Sequence, residues 1–192
     1  MQIKEGELVI RLDRKKAQVW IETVIYTLIA LTIIGLFLSF AKPKIEEIQD
    51  KAVIDQSLNM LEDMHDLILN IVEGGAGNKR IIDIGIKKGT LTIDGVNDQI
   101  KFELEGRYTY TEPGEEGATG SPVKIGNVIA TTQQKGKTNI VTLISNYSGT
   151  YDIQYKGGDN VKAISKAPIN YKVSMENMGD PLGLTVIEFD VE

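Results

Sequence analysis

From Thr23 to Ala41 the chain carries no charged residue, and apolar side chains fall on every side of a helical projection. Counted from Gln18 to Ala41, such a helix is about 36 Å long at ~1.5 Å per residue, against a hydrocarbon core of ~30 Å. A helix apolar all round has no face suited to water. A membrane span over residues 18–41 is therefore expected. The competing expectation is a secretory signal peptide cut after Ala41, at the small-x-small run Ser39-Phe40-Ala41. It requires an apolar region longer than the usual ~7–15 residues.

The helical pattern continues past the span. Pro43 lacks an amide donor and clashes with the carbonyl of Ser39, which predicts a kink or a short unwound stretch near 43. Beyond it Ile54, Leu58, Leu61, His65, Ile68 and Val72 recur at helical spacing and form one stripe. Ile45, Ile48 and Ala52 lie on nearly the opposite side, so the helix has two different neighbours along its length. Gly74-Gly75-Ala76-Gly77-Asn78 ends the helix, which gives it the range 18–73.

The remainder alternates with a period of two. Ile100 to Glu105, Tyr151 to Tyr155, Ile169 to Met175 and Ile187 to Val191 read as strands with one buried face each. Asn139 to Ser145 reads as a strand buried on both faces. Gly- and Pro-rich breaks such as Glu112 to Pro122 separate the strands, and no internal repeat is present. The fold class is α+β: a long N-terminal hydrophobic helix followed by an antiparallel β-sandwich-like head over residues 74–192.

Composition narrows the chemistry. The 192 residues include no Cys and one His, which excludes disulfides, thiolate metal sites and a Cys nucleophile, and disfavours a Ser-His-Asp triad. No P-loop, dinucleotide fingerprint or nucleophile elbow occurs, so no enzyme activity and no cofactor is expected. A net charge of −6 argues against nucleic acid as the main partner. Residues 1–17 are nonetheless basic, at +2, leaving −8 for the rest. Arg14-Lys15-Lys16 stands directly before the apolar run, so that end stays in the cytoplasm and the acidic remainder lies outside.

The junction reads Arg14-Lys15-Lys16-Ala17-Gln18-Val19-Trp20-Ile21-Glu22-Thr23. Here the chain resembles the precursors of archaeal type IV pilins, which carry a class III signal peptide. In that family a prepilin peptidase removes a short basic leader on the cytoplasmic side of the membrane. The resemblance implies a leader of residues 1–17, a cut between Ala17 and Gln18 next to Lys15 and Lys16, and Glu22 as the fifth mature residue, a Glu in many pilins. Ala17 stands where the family more often has Gly.

Residue chemistry bears on Glu22 independently. A carboxylate at the centre of a membrane helix costs on the order of 3 kcal/mol, and less near the membrane face. One expectation is that Glu22 simply lies among the head groups. The other is that cleavage exposes an α-amine at Gln18, with a pKa of about 7.7–8.0, whose charge Glu22 compensates in its own or a neighbouring subunit.

Further candidates lie beyond the membrane span. Asn146-Tyr147-Ser148 is the single Asn-x-Ser/Thr sequon and marks Asn146 for glycosylation after export. His65 falls within the apolar stripe and reads as a buried, hydrogen-bonded core histidine. Asp94, Asp98 and Asp159 lack the EF-hand pattern and read as solvated turns. The six Tyr residues from Tyr108 to Tyr171 read as packing.

The functional expectation is a type IV pilin-like structural subunit, membrane-held as a precursor and extracellular when mature. Its partners are copies of itself in a helical homopolymer, the prepilin peptidase, the membrane before assembly and the pilus assembly machinery. The alternative is a signal-anchored surface ectodomain, or a minor pilin-like adhesin, that does not build the main fibre.

Overall fold

A computed structural model describes residues 14–114, 117–181 and 183–192, with side chains from Val19 onward. The chain divides into two units, Met1–Lys44 and Ile45–Glu192. One α-helix, α1 (Arg14–Glu73), supplies all the described secondary structure of the first unit and opens the second. Ten strands follow it among the described residues. The layout is α+β, as the hydrophobic pattern predicts.

The helix assignment runs unbroken through Pro43, so the unwound stretch expected there does not occur. Proline removes one amide donor, and the intact turns on either side hold the backbone in a cooperative helix. The helix ends where Gly75 adopts φ +79°, a left-handed conformation that glycine takes without strain. Gly74 N–H still donates to Asn70 O at 3.1 Å, and Gly75 N–H to Val72 O at 3.0 Å. Asn177, buried on a distant strand, donates from Nδ2 to Ile71 O at 3.4 Å and so satisfies one of the last carbonyls.

In the second unit the helix is amphipathic. Asp50, Ile54, Ser57, Leu61, Met64, Ile68 and Ile71 are buried, at alternating steps of four and three. Lys51, Asp55, Asn59, Asp66 and Asn70 are exposed. This corrects the expected stripe. Ile54, Leu61 and Ile68 are at its centre, but Leu58, His65 and Val72 are only partly buried, and Ser57, Met64 and Ile71 take the inner positions. Steps of three and of four both keep a residue on one face, and only tertiary packing decides between them.

The strands form two sheets. A four-stranded sheet contains β1 (Lys79–Ile84), β9 (Tyr171–Gly179), β10 (Thr185–Val191) and β7 (Tyr151–Tyr155), in that order. A six-stranded sheet runs β4 (Val123–Ile125), β5 (Val128–Lys135), β6 (Thr138–Asn146), β3 (Gln99–Gly106), β2 (Thr90–Asp94), β8 (Val161–Ser165). Every pair is antiparallel except β10 with β7, which are parallel in register Thr185↔Tyr151 to Phe189↔Tyr155. Two intervening strands supply the long crossover that a parallel pair requires.

Alternation decides which face is inside. On β3, Ile100, Phe102 and Leu104 are buried and Lys101 and Glu103 are half-buried. The same holds for Val173, Met175 and Asn177 on β9. Residues of both sheets and of the helix's inner stripe belong to one continuous core, with Phe102 and Phe189 its largest fully buried side chains.

Candidate assembly helix and its anchorage

Between Val19 and Ala41 the first unit's helix buries almost nothing of itself: Trp20 is 70 % exposed, Phe37 67 % and Phe40 73 %. Gly35 has open space around it. The threonine and serine hydroxyls here are nevertheless satisfied. Thr23 donates to Val19 O at 2.9 Å, Thr27 to Val24 O at 2.8 Å, Thr32 to Leu28 O at 2.8 Å and Ser39 to Leu36 O at 2.7 Å. Hydroxyls that bond back to their own helix need no water, so apart from Glu22 and the exposed Tyr26 the segment presents an apolar cylinder. It is long and apolar enough to cross a membrane.

Glu22 is an exposed residue one turn into this cylinder. Lys15, Lys16, Ala17 and Gln18 lie in the helix's first turns, and their side chains lie outside the described residues. The rest of the expected leader, residues 1–13, also lies outside them. The Ala17–Gln18 bond is thus in helical backbone, one turn from the start of α1.

The second unit fastens its own stretch of helix to the head through groups that the sequence reading did not single out. Asp50 is 1 % exposed. Its carboxylate accepts the Arg107 N–H at 2.7 Å and pairs with the Lys88 ammonium. One turn earlier, Glu46 takes the Arg107 Nε–H at 2.6 Å. The close approach requires glycine at 106, because a Cβ there would stand 2.2 Å from Asp50 Oδ2. Ile45 and Ile48 are 53 % and 67 % exposed, and the neighbour expected for this face is not the head.

Other predicted residues divide. Asn146 is exposed at the end of β6. His65 departs from its expected hydrogen-bonded state: its ring is half-buried against Tyr147, with centroids 5.8 Å apart, and its buried Nδ1 has no hydrogen-bond partner among the described residues. Burial pushes the Tyr147 phenol well above its usual pKa. Asp94 is not a solvated turn residue but is buried, accepting from Val96 N, Asn97 N, Asn97 Nδ2 and Gln99 Nε2 at 2.8–3.2 Å. Burial alone raises its pKa, and these hydrogen bonds together outweigh that and hold it below the ordinary carboxylate value. Asp98 accepts the Ile153 N–H at 3.0 Å. No group of three or more metal-ligating side chains assembles among the described residues.

No protein-family model, curated protein or solved structure matches the chain.

Proposed function

We propose that the chain is a pilin-like structural subunit that polymerises through its N-terminal helix into an extracellular filament. The observation that carries this reading is the contrast between the two parts of α1. From Ile54 to Ile71 one face is buried in the head, whereas from Val19 to Phe40 all faces are exposed and the threonine and serine hydroxyls are satisfied internally. Such a cylinder is stable in lipid, or out of lipid when surrounded by other helices. The basic junction Arg14-Lys15-Lys16 and its resemblance to class III signal peptides favour transfer from the first surrounding to the second. In this reading the leader ends at Ala17, and cleavage leaves an α-amine on Gln18 one helical turn from Glu22.

A permanently anchored surface ectodomain makes equal use of a membrane span, and the two readings diverge after export. The test is N-terminal sequencing of the native protein together with negative-stain microscopy of the cell surface. The filament reading expects Gln18 as the first residue and long, uniform fibres that vanish when the chain is deleted. An intact Met1 with the protein confined to membranes overturns it in favour of the anchored ectodomain.

A further inference from the structure

We infer that Asn146 is the attachment site of an N-linked glycan, added to the exported head whose export the proposed function supplies. The sequon is built into the turn that follows β6 in a way that separates its three residues. Asn146 and Ser148 are exposed, whereas Tyr147 between them is 2 % exposed. Tyr147 anchors the turn: its N–H donates to Asp98 O at 2.8 Å, and its carbonyl accepts from Thr150 N and Tyr151 N at 2.8 and 3.0 Å. Its ring lies against His65 and Tyr151, with centroids 5.8 and 6.2 Å away. Gly149, at φ +76°, lets the chain reverse immediately afterwards.

The Asn146 carboxamide is divided in the same way. Oδ1 accepts the Ser148 N–H at 2.9 Å, forming an Asx-turn. The amide nitrogen is the end that glycosylation consumes. In the transfer, Nδ2 forms a bond to C1 of a lipid-phosphate-linked oligosaccharide and loses a proton. The C1–O bond breaks, and the lipid phosphate leaves with its electron pair. The product is a secondary amide that retains Oδ1 as an acceptor, so the Asx-turn survives modification. Serine two residues on supplies the hydroxyl that the sequon requires, on an exposed residue. A sugar at this position displaces no core side chain, since Asn146 is exposed.

The test is mass spectrometry of the native protein after tryptic digestion, reading the single peptide from Thr138 to Lys156. The expected result is a peptide heavier than its sequence by a glycan, with the sugar on Asn146. Asn146→Gln and Ser148→Ala should each return it to the unmodified mass, and Ser148→Thr should keep the glycan. Ser148→Ala also guards against misfolding as the cause, since the turn uses the Ser148 backbone N–H, and its melting temperature should be no lower than that of Asn146→Gln, which loses the Oδ1 acceptor of the Asx-turn. An unmodified peptide from native protein, or a glycan that persists in Ser148→Ala, overturns the assignment. N-terminal sequencing of the same sample separates this from the filament reading: Gln18 with a bare Asn146 defeats the glycan alone, and Met1 with a glycan defeats the leader cleavage alone.

Discussion

A carboxylate that is 1 % exposed must find donors inside the protein, and Asp50 finds them 38 and 57 residues away in Lys88 and Arg107. Along the sequence it is one charge beside Glu46, Glu47 and Lys51, indistinguishable from a solvated helix surface, so its role was not legible there. Asp50→Ala leaves the Arg107 N–H without its acceptor and should destabilise the head by about 2–3 kcal/mol in urea unfolding; half-exposed Lys88 recovers water and adds little. Gly106→Ala should unfold at comparably lower urea, since the new methyl displaces the same carboxylate. Glu22 was legible because it interrupts an apolar run with a charge. Under the proposed assembly, Glu22→Ala should leave cleaved subunit in the membrane and abolish or sharply reduce filaments, as counted by microscopy. A normal filament count with cleavage confirmed by mass would return Glu22 to the head-group region.

At the scale of elements, the uncharged span and the alternating strands β3, β7, β9 and β10 could be read directly, because each carries its own period. β6 reads in sequence as buried on both faces, but Ile140, Thr142 and Ile144 are only half-buried and it too has one inner face. β1, β2, β4, β5 and β8 escaped notice: β1 begins with Lys79-Arg80, β5 ends in Gln133-Gln134-Lys135, and β4 has three residues. Their pairing comes from neighbours rather than from local pattern, as in the eight-residue ladder from Val128↔Ser145 to Lys135↔Thr138. The β2–β3 turn gives a pH prediction. The Asp94 pKa is lowered in the folded head, so its contribution is fully present above the unfolded value of about 3.9 and disappears as pH falls through the folded value. Acid unfolding followed by near-UV circular dichroism should therefore show a loss of stability below about pH 4 that is weaker in Asp94→Asn. On the helix, Ile48→Lys should leave the head's unfolding free energy within about 0.5 kcal/mol of the parent, because the residue is 67 % exposed, yet under the proposed assembly lower the filament yield.

The whole molecule joins a cylinder without a core of its own to a head whose core includes part of the same helix. A fragment starting at Ile45 keeps Glu46, Asp50 and the inner stripe, and should be soluble and mainly β by circular dichroism. A fragment starting at Gly74 removes Ile54, Leu61, Met64, Ile68 and Ile71 from the core and should aggregate. The placement of the Glu46 and Asp50 grip also has a mechanical meaning. Tension transmitted along the helix enters the head at Ile45, so it reaches the ion pairs to Arg107 and Lys88 before it reaches the apolar stripe. Loaded along the helix axis, those bonds and the stripe behind them are sheared together rather than peeled one at a time. A head tethered in this way should resist a pull from its N-terminal side far better than an equal pull on Glu192, where β10 can be stripped from β9 and β7 one rung at a time.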